Sequence, residues 1–326
     1  MTQQRRRNQT QGGARSVRGA LLAVALTSAL LSQGGEARAN LVIVPTYDGT
    51  ITNDPNAATI MATINGALAQ YNTLFADPIT VNVKFQEMTS GLGQTSTFIQ
   101  QLSYQAYRAA LVTDATSPDD ATALAHLPVQ GTSPVDGNTN MWVTLPNLRA
   151  IGISTSGGLD ATISLNTSIM NLDRTGPQDP HKYDLQAVAQ HEVDEVLGMG
   201  SGLNLPINFP RLSRPQDLFR YSGDGVRSFT TDPNAASYLS IDGGATPLVY
   251  FNQVGGGNAD YGDWATTGVH RVQDAYGTPG AQPNLNVEIR NLDVIGYTLA
   301  ATPVPEPGTL VMAMTAATAL IGCSAA

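Results

Sequence analysis

Cysteine is almost absent: the 326-residue chain has one, Cys323. A single thiol forms no intrachain disulfide and builds no cysteine-rich zinc module. Charge is sparse as well, at 13% of residues against 42% hydrophobic, a balance that buries a core and argues against global disorder. Basic residues are scarcest of all beyond residue 39. Arg5, Arg6, Arg7, Arg15, Arg18 and Arg38 take six of the 17, leaving 11 basic against 25 acidic groups in the rest. That remainder carries about −14, while the whole chain is −9. A body so acidic repels a phosphate backbone, so no nucleic-acid partner is expected. No G-x-S-x-G elbow is present and Cys323 sits in the tail, so the common serine and cysteine nucleophile patterns are missing. Gly255-Gly256-Gly257 neither follows a strand nor opens a helix, which excludes a phosphate loop. There is no internal repeat and no long low-complexity linker.

Both ends read as addresses. The early arginines form a basic region before the apolar run Ala20–Leu31, which is too short for a permanent bilayer anchor. Ala37-Arg38-Ala39 is an A-x-A site, so residues 1–39 are expected to be a signal peptide cut before Asn40. At the other end, Pro303–Pro307 is stiff and extended, and Thr309–Gly322 is apolar. Val304-Pro305-Glu306-Pro307-Gly308-Thr309-Leu310 resembles the PEP-CTERM sorting signal of exopolysaccharide-producing Gram-negative bacteria. The resemblance implies export and sorting machinery as partners and transient membrane association through residues 303–326. It places the protein in the periplasm, at the cell surface or outside, with a transient stay in the inner membrane. That signal ordinarily continues into a membrane helix and a basic tail; here the chain ends in Cys323-Ser324-Ala325-Ala326, without Arg or Lys.

Residues 40–302 are the working domain. Leu41–Val44 reads as a short strand stopped by Pro45, and Ile79–Phe85 (ITVNVKF) alternates like a half-buried strand. Helical spacing runs over Asn56–Phe75, with Asn53 or Asp54 as cap and Pro55 in the first turn. Thr97–Val112 and Asp119–Leu127 are expected helices, the second capped near Ser117 with Pro118. Met141–Leu145 and Ala161–Leu165 are expected strands, and Tyr183–Met199 a helix ended by glycines. Beyond Gly202 the chain reads mostly as loop, with short strands near Tyr238–Ile241 and Leu248–Phe251 and a short helix near Asn291–Gly296. The class is α/β, more specifically α+β: an upper part, about 40–200, with sheet and helices, and a loop-rich lower part, about 201–302.

The most informative stretch is Asp184–Gly202, DLQAVAQHEVDEVLGMGSG. His191 and Glu195 are four apart on a helix, so both side chains leave the same face one turn apart and can hold one metal ion. Glu192 beside them is placed to take a proton from a metal-activated water attacking a carbonyl. A chance H-E-x-x-E at any of the four histidines is rare, on the order of 0.1–0.2% by simple counting. The competing explanation is an amphipathic helix with a solvated acidic face, to which Asp194 and Glu195 would simply belong.

DLQAVAQHEVDEVLG resembles the active-site helix of metzincin-type zinc metallopeptidases, the matrixin branch especially, and the chain is similar to PEP-CTERM-bearing bacterial metallopeptidases. ITVNVKF and Asp293–Tyr297 (DVIGY) fit the same group. The resemblance implies a metzincin-like fold: an upper mixed sheet, an active-site helix and a loop-rich lower subdomain. It implies that His191 is a zinc ligand, Glu192 the general base and Gly198 the turning glycine. Glu195 stands where that family has its second histidine, and Ser201 where it has its third ligand. A glutamate is an acceptable zinc ligand but weakens the metal as a Lewis acid, and a serine hydroxyl is a poor one. A further ligand must therefore come from elsewhere. Asp217-Leu218-Phe219-Arg220-Tyr221-Ser222 resembles the Met-turn segment, which makes Tyr221 a candidate for reaching the metal or steadying the oxyanion and Asp217 a second candidate ligand. A turn with Leu218 and Phe219 buried beneath it explains the same residues without chemistry. His126, His181 and His270 read as structural or loop histidines. Asn258, Asp260 and Asp263 in GGGNADYGDW could offer oxygens to Ca²⁺, as could Asp232, Asn234 and Asp242, though without EF-hand spacing.

Three functions follow from these residues. One is an exported zinc-dependent peptidase acting on a protein or peptide substrate. Another is a non-catalytic secreted or surface protein retaining a degenerate metzincin fold, favoured by the changes at Glu195 and Ser201. The third, a calcium-stabilised matrix module, rests on the acidic loops alone.

Overall fold

The computed structural model describes residues 40–205, 209–254 and 260–301. The expected signal peptide, residues 1–39, and sorting segment, residues 303–326, lie outside the described residues, as does Asn258. The fold is mixed α and β, in agreement with an α+β class.

Its principal sheet has four strands in the order Val42–Tyr47, Thr80–Glu87, Ala161–Leu165, Gly93–Thr97. The first three run parallel and the fourth is antiparallel, pairing Thr95 with Ile163. Alternation explains the central strand: Val81, Val83 and Phe85 are buried, while the residues between them face away from the core. The first strand continues through Pro45 instead of stopping there. It is the sheet edge, where a residue without an N–H forfeits no ladder bond on its open side.

Two helices pack on this sheet and on each other, Ala57–Leu74 and the site helix Leu185–Leu197. Ile60, Ile64, Ala67, Leu68 and Tyr71 form the buried stripe of the first. Its cap is Asn56, not Asn53 or Asp54; the Asp54 carboxylate instead accepts the Asn56 amide at 2.6 Å. Asp48 caps an additional short helix, Gly49–Thr52. Each fully buried Ile, Leu or aromatic side chain contributes about 2 kcal/mol to this core.

The expected helix over Thr97–Val112 is half strand. Gly93–Thr97 joins the main sheet, Ile99–Ser103 pairs antiparallel with Asn140–Thr144, and only Tyr104–Asp114 is helical, capped by Ser103. Backbone pairing to waiting strands overrides a weak helical pattern in a segment rich in Thr, Ser and Ile. Pro118–Ala125 matches expectation, with Ser117 and Asp120 forming a capping box. The lower half holds more order than loop alone: a small antiparallel sheet orders Val226–Arg227, Arg220–Gly223, Tyr238–Leu239 and Val249–Tyr250. The last helix is Val287–Val294, set slightly earlier than the pattern places it. Among the described residues no helix is long and apolar enough to cross a membrane.

Candidate metal centre

The site helix begins at Asp184, whose side chain accepts the Ala187 amide, and ends at Gly198, whose φ of 123° is a conformation glycine adopts cheaply. Ala189, Val193, Val196 and Leu197 bury one face. The acidic residues on this helix are not a solvated face. Asp194 is fully buried, with Tyr71 Oη 2.8 Å from Oδ1, and its carboxyl is pushed well above the usual range by burial and then by Glu288. Glu195 is only 21% exposed at its side chain.

His191 Nε2 lies 3.8 Å from Glu195 Oε1 and 3.6 Å from Asp263 Oδ1. Ligand atoms of His191, Glu195 and Asp263 all fall within 4.8 Å of one another, the one such cluster of three or more His, Cys, Asp or Glu among the described residues. The imidazole is aimed. Its Nδ1 lies 3.0 Å from the Val272 carbonyl, which requires the proton there and leaves Nε2 as the atom facing the two carboxylates. Gln273 Nε2 donates to Asp263 Oδ1 at 3.0 Å and stands 3.3 Å from His191 Nε2.

These groups carry a charge problem. Burial, then Glu192 and Asp260, pushes the Glu195 carboxyl well above its usual range. Burial, then Asp260, does the same to Asp263. Burial acts to lower the His191 pKa, but Glu192, Glu195 and the Val272 carbonyl outweigh it and raise it. Like charges crowded in a half-dry space are relieved by a cation. The donor set, one imidazole nitrogen and two carboxylate oxygens, suits zinc or a similar transition metal better than calcium, which takes oxygen ligands. By that test the residues present fit a zinc ion.

Glu192 is held apart from the three. Thr95 on the antiparallel edge strand donates its hydroxyl to Glu192 Oε2 at 2.7 Å and lies 3.0 Å from the Glu192 carbonyl. Burial raises the Glu192 pKa, against the pull of His191 and Thr95. Glu192 is thus a buried carboxylate held by a hydrogen bond from the edge strand, with its pKa raised by burial.

Asp263 comes from the loop read as a calcium candidate, and that loop is locked to the end of the site helix. Gly262 packs directly on Gly200, so closely that a β-carbon on it would lie 2.5 Å from Gly200 Cα. Gln216 spans the same junction, accepting the Gly200 amide and donating to the Gly262 carbonyl. Asp260 turns inward, accepting the Gly262 amide at 2.6 Å; burial raises its pKa, opposed by that amide and then by Arg214.

Asp217 is not in the cluster. Its oxygens accept the Ser201 hydroxyl at 2.7 Å, the Gly202 amide at 2.9 Å and the Arg214 amide at 2.8 Å. It is the clasp of a turn, and Ser201 is its partner; the acid that stands with His191 and Glu195 is Asp263. Tyr221 is in the small lower sheet, paired with Tyr238, its ring 4.6 Å beneath the Arg227 guanidinium. Burial raises its pKa, and the charged or titratable groups acting on it are Arg227, Asp242 and Tyr238, none of them in the cluster. Asp232 and Asp242 close turns, accepting the Asn234 and Thr246 amides. His126 bonds the Thr122 carbonyl at its helix end.

Sequence reasoning missed Thr95, Val272 and Gln273 entirely, and held Asp263 only for calcium. The available signal was the acidic, glycine-rich GGGNADYGDW stretch; nothing local ties it to His191. No family model, curated protein or solved structure matches this chain.

Proposed function

We propose that this protein is an exported, zinc-dependent peptidase of the metzincin type, with His191, Glu195 and Asp263 as the metal ligands and Glu192 as the base. The carrying observation is the convergence of His191 Nε2 with Glu195 and Asp263 oxygens beside a separately held Glu192. A bound divalent ion would supply Lewis acidity to polarise a peptide carbonyl and acidify water. His191 stays oriented through its bond to Val272, which leaves Nε2 as the atom that would hold such an ion. Glu192, released from neither Thr95 nor the helix, accepts the proton of the attacking water and passes it to the leaving amine. The antiparallel edge strand carrying Thr95 and the helix-on-sheet layout support the metzincin reading. The A-x-A site and the V-P-E-P-G-T-L segment support export, processing by sorting machinery and transient association with the inner membrane. Substrates on this reading are proteins or peptides at or beyond the cell envelope.

The alternative is a secreted protein that keeps the fold without the chemistry. The carboxylate-rich donor set favours it, since two anionic ligands make the ion a weaker Lewis acid. One experiment separates the two. Purified protein should bind about one equivalent of zinc per chain. Glu192→Ala should keep the zinc and lose peptide hydrolysis by about 10²–10⁴-fold. Zinc bound without any hydrolysis in the parent protein would select the alternative; no zinc after reconstitution at neutral pH would remove the metal centre altogether.

A further inference from the structure

Gln273 is anchored by its backbone at both ends. Its carbonyl accepts the Trp264 amide at 2.8 Å, and its own amide donates to Glu288 Oε1 at 3.2 Å. Trp264 Nε1 donates to the same glutamate oxygen at 3.0 Å, so Glu288 fixes this part of the chain. Residue 272 holds the far nitrogen of His191 through its carbonyl, and residue 273 sends its side chain to the near one. Gln273 is 1% exposed.

Its amide nitrogen bridges the two atoms that face one another in the cluster, Asp263 Oδ1 and His191 Nε2. The amide oxygen on the other side is buried with no hydrogen-bond partner. A buried, unpaired carbonyl oxygen costs about 1–3 kcal/mol, so it calls for an explanation. The two ends of a glutamine amide have almost the same shape, and a half-turn about Cγ–Cδ exchanges them without moving the backbone. With the nitrogen inward, the amide donates to an anion and a lone pair, which suits the site without a cation. With the oxygen inward, three acceptors face one another, which is unfavourable unless a cation lies among them.

We propose that Gln273 is a fourth protein ligand of this centre, binding a divalent transition metal through its side-chain oxygen and turning its amide nitrogen inward when the metal leaves. The proposal rests on the metal-centre reading above. It also has a chemical rationale: two carboxylates already balance a divalent ion, and a neutral oxygen completes the ligand set without further weakening it as a Lewis acid.

The test is Co²⁺ binding, followed by visible absorption and by the rise in melting temperature, in the full-length protein and in Gln273→Glu and Gln273→Met. The two variants oppose each other. Glutamate retains an oxygen and loses the N–H donors; methionine retains the length and loses both. A ligand role predicts that Gln273→Glu keeps or tightens Co²⁺ binding, with a larger metal-induced rise in melting temperature than the parent. It predicts that Gln273→Met binds about tenfold or more weakly and with an altered cobalt spectrum. If the amide served only as a donor steadying His191 and Asp263, Gln273→Met would bind Co²⁺ more weakly but with the parent's cobalt spectrum, which overturns the proposal. Parent-like affinity and spectrum in Gln273→Met overturn it as well, leaving the three-ligand centre intact. Absence of Co²⁺ and Zn²⁺ binding in the parent protein would instead overturn the metal centre and this ligand with it.

Discussion

Gly93 and Glu192 are in contact across the edge strand and the site helix: a β-carbon at position 93 would stand 2.8 Å from Glu192 Cδ and closer still to its carboxylate. The strand residue two places on, Thr95, then grips the same carboxylate. The carboxylate proposed as the base is therefore held in place by the sheet as much as by its own helix.

Gly93→Ala should push the Glu192 carboxylate off its position without touching His191, Glu195 or Asp263. We expect kcat for peptide hydrolysis to fall by about 10²-fold, the scale of a misplacement near 1 Å, with zinc content unchanged. Steady-state kinetics beside metal analysis reads both; an unaltered kcat would mean that Glu192 is not the base.

Asp263 and Asp217 should respond oppositely. Asp263→Ala removes a ligand and a crowded negative charge, so zinc affinity falls by about tenfold or more while the metal-free protein is no less stable. Asp217→Ala strips partners from Ser201, Gly202 and Arg214, costing about 3 kcal/mol of folding free energy. Equilibrium dialysis and urea unfolding of both variants check the contrast, which fails if Asp217→Ala loses zinc while remaining fully stable.

Gly262→Ala changes no ligand, yet it should weaken zinc binding. The added methyl meets the Gly200 backbone and forces apart the loop that carries Asp263 and the helix end that carries Glu195. Competition with a chromophoric chelator measures the affinity; a value equal to the parent's would show that the loop adjusts freely.

Stability should fall as pH rises through neutrality, in part because of Asp77. Burial pushes its pKa up to about 7, with Asp114 and Asp293 adding to the rise and the Thr298 amide opposing it. The folded state therefore holds a proton that the unfolded chain releases near pH 4. Between those values folding is linked to proton uptake, so the folded state gains stability as pH falls from about 7 toward 4. Asp77→Asn should raise the melting temperature at pH 8, and the gain should shrink toward pH 5. A pH-independent difference would place the titration elsewhere, for instance on Asp293, whose pKa burial also lifts to about 7.

Local pattern reached a good share of this molecule. Period-two alternation marked Thr80–Glu87, and Ala161–Leu165 was legible in full because both strands pack one face inward. Ser117 and Pro118 announced their helix, since capping depends on neighbours within a turn. The same locality failed at Thr97–Val112, where the competing interaction was a strand distant along the chain.

His191, Glu192 and Glu195 could be picked out unaided because a single helical turn sets their spacing, and 3.6 residues per turn is a property of the backbone. Asp263, Thr95, Val272 and Gln273 belong to other segments, and their arrival at that turn depends on a sheet register, a glycine-on-glycine contact and buried amide bonds. Those are free-energy choices made among distant parts of the chain at once, so no window of neighbouring residues contains them. For the same reason Asp217, within a motif-like run, proved to be a clasp for a turn, while the acid that meets the imidazole came from a loop that local reading had weighed only as a possible calcium site.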